Sequence, residues 1–364
     1  MNNKIIKFSF AFVIILLFGC EKENNSTNDL LQYPYAPQAY SLNIPDHFPK
    51  MDIPSDNPLT KEGVELGRHL FYDPILSADS SMSCGSCHIQ SKNFTDGLAV
   101  STGIDGIAGR RSSMSLINIG FVKSGYFWDG RSSNLEDQAL IPVEDPIELH
   151  HHWPNVVAKL QSHDTYPKMF REAFGISSKQ EITKILAAKA IAQFERTLIS
   201  KDSKFDKWQQ GEVILNDLEL IGQGIFFDDD PDLPDGECGH CHNTPLAFTD
   251  DYFNNGLSAA TSLLDFTDKG RGAHTGQLND NGKFRAPTLR NIMYSAPYMH
   301  DGSLLTFEDV LTHYNSGGKT SPYKDKVLHN LQLDEFYLQC LTAFIKTFED
   351  TVFLNNPEYK NPFE

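Results

Sequence analysis

The sequence predicts a mostly α-helical protein with two tandem domains and long loops. Apolar residues recur every three to four positions in extended segments, as at Ile182, Leu186 and Ala190, and this is the period of an amphipathic helix. No alternating strand pattern of comparable length competes with that signal. The 364 residues of the chain exceed what one hydrophobic core usually serves, so we expect two domains.

A weak internal repeat supports this division. Residues 66–73 read Leu-Gly-Arg-His-Leu-Phe-Tyr-Asp, and residues 221–228 read Ile-Gly-Gln-Gly-Ile-Phe-Phe-Asp. Each segment is followed by a loop, a Cys-x-x-Cys-His motif and the tripeptide Phe-Thr-Asp. We interpret this as the duplication of one unit. The predicted units are a first domain at 59–210, a second domain at 211–350 and a tail at 351–364.

The two Cys-x-x-Cys-His motifs carry the strongest chemical signal. They are Cys84, Cys87 and His88 in the first domain, and Cys238, Cys241 and His242 in the second. In each motif the thiols can add across the vinyl groups of a haem, and the histidine can ligate its iron. Zinc binding would need further close ligands, and thioredoxin-type chemistry has no use for the histidine twice. We therefore predict two covalently bound haem c groups in cytochrome c-like domains.

The N-terminus has the form of a bacterial export signal. Two lysines precede an apolar stretch at residues 8–18, which is too short to span a bilayer. Cys20 follows a glycine as in a lipobox, although Phe18 is bulkier than usual there. We expect a lipoprotein-type signal peptide at 1–20 and a periplasmic or cell-envelope protein anchored by lipid on Cys20, with plain secretion as the alternative. Residues 21–58 are rich in Asn, Pro, Ser and Tyr and predict a tether.

The net charge and the acidic residues limit the classes of partner that the protein is expected to bind. The net charge of -17 argues against nucleic-acid binding and is compatible with a small basic electron donor that docks on an acidic face. The densest acidic run, residues 228–237, is interpreted as a solvated loop. Cys340 lies in an apolar stripe at helical spacing, so we expect a small core residue rather than a catalytic thiol.

The order of these motifs resembles the bacterial di-haem cytochrome c peroxidase and MauG family. The matching stretches are 66–88, 126–131, 135–148, 238–242 and 284–302. The resemblance implies that the N-terminal haem reacts with hydrogen peroxide and that the C-terminal haem stores or relays an electron. It also implies that His88 and His242 are the proximal iron ligands.

The first haem is predicted to have an open iron. Many family members place a removable histidine in the loop after the first motif, but here residues 101–111 contain neither histidine nor methionine. His150, His151 and His152 are expected to form an exposed loop. Splitting peroxide needs a group that moves a proton, and the resemblance implies Glu148 for this role, with Gln138 as another pocket residue. On the residues alone, Glu144 and Asp145 compete with Glu148.

The sixth ligand of the second haem is the least standard feature. Family peroxidases use a methionine, and the resemblance places Tyr314 in that register, as in MauG-like members. Thr306 and Asp309 predict a capped helix that would present Tyr314 on an apolar face. A core tyrosine is the plainer interpretation of the same pattern, and Met299 and His313 are competing ligands.

The resemblance implies two further features between the haems. Trp128 matches a family tryptophan that carries electrons between them, although a plain core aromatic fits the same pattern; Trp208 has both interpretations with less support. A calcium ion is implied with backbone oxygens of Ser295 and Pro297 as ligands. Its usual asparagine ligand corresponds to Ser112 here.

The predicted function is a di-haem c-type peroxidase that reduces hydrogen peroxide to water. Its electrons would come from a small donor protein, a cytochrome c or a copper protein. One alternative is a MauG-like enzyme that uses high-valent haem to oxidise a protein or a small molecule. A non-catalytic di-haem electron carrier is the alternative from a different class.

Overall fold

The structure, a computed structural model, describes residues 29–364. The predicted signal peptide, Cys20 and the start of the predicted tether lie outside these residues. Within the described range the chain is helix-rich, as predicted, and has one two-stranded antiparallel sheet. The helices are α1 Lys61–Tyr72, α2 Cys84–Cys87, α3 Leu135–Glu144, α4 Trp153–Ser162, α5 Tyr166–Phe174, α6 Lys184–Glu195, α7 Lys204–Gln209, α8 Asp217–Phe227, α9 Arg271–Thr275, α10 Phe307–Asn315, α11 Glu335–Lys346 and α12 Thr351–Leu354. The strands are β1 Tyr252–Phe253 and β2 Phe284–Arg285.

Two hydrophobic clusters form the interior. The first gathers buried side chains mainly from residues 30–199, and the second gathers those from residues 205–348. The change of cluster therefore falls a few residues before the predicted boundary at 210/211. The reason is α7, whose Phe205 packs against Phe348 with ring centroids 4.7 Å apart. Trp208, on the same helix, is a partly buried aromatic against the second cluster.

The same helix crossing is built twice. Helix α1 packs along α6 and helix α8 packs along α11, and these are the most extensive helix contacts in the described chain. Each first helix begins at a side-chain cap, Thr60 for α1 and Asn216 for α8, which satisfies backbone N–H groups of the first turn. Each crossing has a glycine at its centre, Gly67 and Gly222, at the same place in the sequence repeat.

The segment predicted as a tether is only partly one. From Leu30 onward it has buried side chains, among them Leu30, Phe48 and Met51, which pack on the first cluster. Asn57 is buried and donates from Nδ2 to Glu136 at 2.6 Å. Residues 29–58 are therefore held on the first helical unit through scattered apolar anchors, a pattern without the periodicity that sequence reasoning looks for.

The C-terminal tail also belongs to the first cluster. Helix α12 buries Phe353, and the following turn buries Tyr359. The Tyr359 hydroxyl donates to the carbonyl of Thr197 at 2.8 Å, and the Tyr72 hydroxyl donates to the carbonyl of Tyr359 at 2.6 Å. The chain thus returns from its second unit to close the first.

Two local predictions agree with the structure. Cys340 is fully buried in the second cluster, as expected for a small core residue, and no disulfide joins any of the cysteines between residues 29 and 364. Helix α10 begins after Thr306, whose side chain accepts from the N–H of Asp309 in a capping box. Between residues 29 and 364 no helix has the length and apolar character needed to cross a membrane.

Candidate haem sites

The first motif forms one helical turn, and hydrogen bonds to neighbouring loop residues orient its histidine. Helix α2 places Cys84 and Cys87 at its two ends, and His88 follows as the C-terminal cap. His88 Nδ1 lies 2.9 Å from the carbonyl oxygen of Phe94 and 3.3 Å from Ser113 Oγ. A hydrogen bond from Nδ1–H to that carbonyl leaves Nε2 free with its lone pair, which is the arrangement of a metal-ligating histidine.

The second motif repeats this arrangement. His242 Nδ1 lies 3.1 Å from the carbonyl oxygen of Pro287, so its Nε2 is likewise free. Burial lowers the pKa of His242 to about 4 and lowers that of His88 as well, so both imidazoles are neutral donors near pH 7. Burial also raises the pKa of the Cys241 thiol to about 12, consistent with a thiol in an apolar cavity.

An apolar cavity opens directly beside the second motif. Cys238, Cys241, His242 and Tyr314 all line this cavity. The apolar face of α10 forms part of the wall, with Phe307, Val310 and Leu311 beside Tyr314. Burial raises the pKa of Tyr314 to about 12, while a hydrogen bond from Asn255 opposes the rise.

The three candidate sixth ligands differ in their surroundings. Tyr314 and Met299 both line the cavity. His313 lies outside its lining, and His313 Nε2 donates to the backbone carbonyl of Asn255 at 2.9 Å. The imidazole is therefore committed to the protein backbone, and two candidates remain in the cavity.

A buried arginine in the cavity wall bears on whether this cavity suits a haem. Arg285 is 4 % exposed, its Nε has no hydrogen-bond partner, and no carboxylate of residues 29–364 forms an ion pair with it. Burial lowers the pKa of its guanidinium. An unpaired buried charge is costly, and Arg285 lines the same cavity as His242 and Tyr314. The propionate groups of a haem are anions that such a guanidinium would pair, so the residues present fit the group.

Glu148 lies near the first motif. It sits in the loop after α3, where the N–H groups of Leu149 and His151 donate back to the carbonyls of Pro142 and Val143. Burial raises the pKa of Glu148 to about 7, Asp145 adds to the rise, and Arg131 opposes it. The negative charge of Glu148 is among the neighbours that raise the pKa of the Cys87 thiol.

The two competitors of Glu148 have other surroundings. Glu144 is exposed at the end of α3. Asp145 accepts the N–H of Ile147 at 2.9 Å and so serves the turn itself. Gln138 is half-buried on α3, one helical turn before Pro142, and these two positions share a face of the helix.

The loop without histidine is fastened to the Glu148 loop. The N–H of Ile104 donates to the carbonyl of Glu148 at 3.0 Å. Gly103 lies so close that a Cβ there would be 2.0 Å from the carbonyl oxygen of Ile147. His150 pairs with Asp105 of the same loop.

The expectation that His150, His151 and His152 are all exposed is wrong for the middle residue. His151 is 6 % exposed, because its N–H donates to the carbonyl of Val143 and draws the residue under the end of α3.

Trp128 lies where the surroundings of the two motifs meet. Its indole Nε1 donates to the carbonyl of Ser112 at 2.9 Å, and its ring lines the second cavity. Ser113, which follows Ser112 in the chain, donates from its hydroxyl to the carbonyl of Cys87 at 2.7 Å. Two adjacent serines therefore connect the first motif to Trp128. The Ser112 hydroxyl donates to the carbonyl of Met299 at 2.8 Å.

Sequence reasoning missed three residues that the structure brings to these sites: Arg285, Asn255 and Glu195. Arg285 stands within a matching motif, yet nothing in the sequence shows that it lacks a carboxylate partner. Glu195 is 4 % exposed with an unpartnered Oε2, and burial raises its pKa to about 8. A charged residue on the buried side of the apolar helix α6 was the available signal.

Two histidines with Nε2 free, each following a pair of thiols in a helix-rich chain, are the arrangement expected of a di-haem c-type oxidoreductase. The sequence profile described as "Di-haem cytochrome c peroxidase" matches residues 61–213. Methylamine utilization protein MauG of Methylorubrum extorquens is 33% identical over 332 residues, which cover 91% of this chain and 89% of that protein. Cytochrome-c peroxidase IdrP1 of Denitromonas iodatirespirans is 32% identical over 86% of this chain and 88% of that protein.

A solved structure gives the same result. The crystal structure of a MauG-like protein associated with microbial copper homeostasis superposes with a TM-score of 0.79 at 32% identity, covering 90% of this chain and all of that one. The chain belongs to the di-haem cytochrome c peroxidase family. The predictions of the family and of a peroxidase-type oxidoreductase are confirmed, and membership implies two haem c groups.

Proposed function

We propose that the protein reduces hydrogen peroxide to water at the first motif, with electrons that an external donor delivers near the second. The observation that carries this proposal is Glu148, a carboxyl group with a pKa raised to about 7 beside Cys84 and Cys87. The covering loop at 101–111 offers no histidine or methionine. Haem bound at these motifs would supply the iron that exchanges electrons and, at the first, a position for peroxide.

Glu148 would move the protons. Each peroxide takes up two electrons and two protons and yields two waters. Near neutral pH the Glu148 side chain is present in both protonation states, so a carboxylate oxygen can accept a proton from one peroxide oxygen and the carboxyl can return it to the other. The half-buried Gln138 would orient the peroxide with its side-chain amide.

We assign the haem-binding residues within two tandem cytochrome c-like domains. Cys84 and Cys87 would hold the first haem, and Cys238 and Cys241 the second. His88 and His242 would be the proximal ligands, because each has Nε2 free and Nδ1 bonded to a backbone carbonyl. Tyr314 would be the sixth ligand of the second haem, supported by its place in the cavity wall.

Trp128 would carry electrons between the two haems. Its support is its double position, on Ser112 next to the first motif's contact and in the wall of the second cavity. A small basic cytochrome or copper protein would dock near the exposed acidic loop at 229–235, which precedes the second motif. We place the protein in the periplasm, anchored by lipid on Cys20.

A calcium ion with backbone oxygens of Ser295 and Pro297 remains part of the proposal. The hydroxyl of Ser112, which stands where an asparagine ligand is usual, donates to the carbonyl of Met299. That hydroxyl keeps its oxygen lone pairs, so it could still ligate the ion together with the two backbone oxygens. Removal of calcium with a chelator is expected to alter the spectrum of at least one haem, and an unchanged spectrum would exclude a role for the ion there.

A MauG-like oxidation of a protein or small molecule is the second candidate. Tyr314 in the cavity favours it, since a phenolate ligand lowers a haem's potential relative to methionine. The non-catalytic carrier requires six-coordinate, low-spin iron at both motifs. A high-spin component in the paramagnetic-resonance spectrum of the ferric protein would rule the carrier out.

Steady-state turnover of hydrogen peroxide with reduced cytochrome c tests the proposal. We expect sustained turnover, and a fall of about 10²–10⁴-fold in Glu148→Gln, which keeps the shape but cannot ionise. Glu144→Gln is the matched control, because Glu144 is exposed four residues away. Negligible turnover by the unaltered holoprotein would sink the peroxidase proposal and leave the MauG-like one.

A further inference from the structure

Asn255 touches all three side chains that compete for the second haem. It follows β1 and lines the cavity together with Met299 and Tyr314. Its Nδ2 lies 3.2 Å from Met299 Sδ and 3.4 Å from the Tyr314 hydroxyl oxygen. Its backbone carbonyl accepts from His313 Nε2 at 2.9 Å. One asparagine thus contacts every candidate ligand.

The orientation of the Asn255 amide is fixed by its other end. Its Oδ1 accepts the backbone N–H of Leu257 at 3.2 Å. Because that partner can only donate, the oxygen must face Leu257 and the NH₂ group must face the cavity. The contacts to Met299 and Tyr314 are therefore donations from Asn255 and cannot be reversed by turning the amide over.

A fixed N–H donor does not treat the two cavity ligands alike. A phenolate oxygen is an anionic acceptor and gains strongly from a hydrogen bond, whereas a thioether sulfur is a weak, neutral acceptor. A donor shared by both therefore favours ligation by oxygen. The same residue holds His313 away from the cavity through its backbone.

We propose that Asn255 selects the sixth ligand of the second haem, by favouring the oxygen of Tyr314 over the sulfur of Met299 and by retaining His313 on its carbonyl. Asn255 is a positioning residue, since it acts through these side chains. This inference rests on the proposed assignment of the second haem to the cavity that contains His242.

The test compares the ferric spectrum and the reduction potential of the second haem between the unaltered holoprotein and its variants. The first variants are Tyr314→Phe, Asn255→Leu and the control Asn254→Leu. Asn254 is the neighbouring asparagine, and its amide donates to Ser321 and Pro322 instead of to the ligands. Any general disturbance of the loop should therefore appear in the control as well.

We expect Asn255→Leu to shift the ratio of methionine to tyrosine ligation by roughly tenfold, the value of one charge-assisted hydrogen bond, and to raise the potential. Asn255→Gln, which retains a donor, should recover part of the tyrosine signature. If Asn255→Leu does not fold, Asn255→Asp serves instead, because it keeps the Leu257 contact and removes the donor.

The variants distinguish a failure of the Asn255 role from a failure of the Tyr314 ligand assignment. If Tyr314→Phe leaves the spectrum unchanged, the ligand assignment fails and the inference falls with it. If Tyr314→Phe changes the spectrum while Asn255→Leu and Asn255→Asp do not, the inference alone is overturned. Equal shifts in Asn254→Leu and Asn255→Leu would also overturn it. Peroxide turnover enters none of these readouts.

Discussion

Gly222 of α8 lies directly on the backbone of Cys340 in α11: a Cβ built on this glycine would be 2.0 Å from the carbonyl oxygen of Cys340. Gly67 of α1 has the same relationship to Ala190 of α6, at 1.9 Å. Because real Cβ atoms do not approach backbone oxygens so closely, each helix pair can cross at this distance only with glycine there. The two glycines therefore set the distance between the two helices of each pair, and each pair belongs to the unit that carries one of the motifs.

We expect Gly67→Ala and Gly222→Ala each to lower the free energy of unfolding by about 2–4 kcal/mol, because the helices must move apart. Denaturant unfolding of the holoprotein measures this. Gly106→Ala is the comparison: it meets no atom within 4 Å but has φ +70°, and it should cost only about 1 kcal/mol. Equal losses in all three variants would contradict the close-crossing explanation.

Peroxide turnover should depend on pH through Glu148. Its pKa is raised to about 7, so the carboxylate that accepts the first proton becomes available as pH rises through that value. The rate profile of the unaltered protein should show an inflection near pH 7 that is absent from the residual activity of Glu148→Gln. An inflection that persists in the variant would assign it to another group.

Glu195 should make stability fall as pH rises. Burial raises the pKa of Glu195 in the folded protein to about 8, whereas the same carboxyl in the unfolded chain ionises near its ordinary pKa of 4.5. Below pH about 4.5 the carboxyl is neutral in both the folded and the unfolded state, so its burial carries no charge penalty. Between pH about 4.5 and about 8 the unfolded chain ionises while the folded protein does not, and the free energy of unfolding falls. Arg196 moderates the effect and Glu136 adds to it.

Glu195→Gln removes this titration. Above pH 8 the variant should be more stable than the unaltered protein, by about 5 kcal/mol for a pKa raised from 4.5 to about 8, and near pH 5 the two should be similar. Denaturant titrations at both pH values measure the difference. A constant difference across this range would show that Glu195 ionises in the folded protein at the same pH as in the unfolded chain, so that its pKa is not raised.

Loss of the Arg285 charge should lower the reduction potential of the second haem. A buried cation that lines the cavity stabilises the more negative, reduced state of the haem. Spectroscopic redox titration of Arg285→Gln measures the shift, with the exposed Lys346→Gln as the control for charge at a distance. A potential equal to that of the control would exclude an electrostatic role.

Much of the site was predictable because covalent haem attachment writes its cysteines and histidine into five consecutive residues. Tyr314 was predictable as a candidate, since a capped helix carries it on an apolar face. Asn255 was not predictable, because its role depends on two contacts with distant residues. Its side-chain amide contacts Met299 and its backbone carbonyl accepts from His313, which are 44 and 58 residues away in the sequence. The packed segment at 29–58 was also missed, because isolated apolar anchors have no period.

The sequence by itself determined the helical class, the duplication, the two motifs and the family, since each of these is a local pattern or an ordered series of patterns. Only the tertiary structure decided that Arg285 lacks a counter-charge, that His313 is held by a backbone carbonyl and that Glu148 is buried enough to titrate near pH 7. The physical reason is that desolvation and hydrogen-bond partnership depend on atoms brought together from distant parts of the chain.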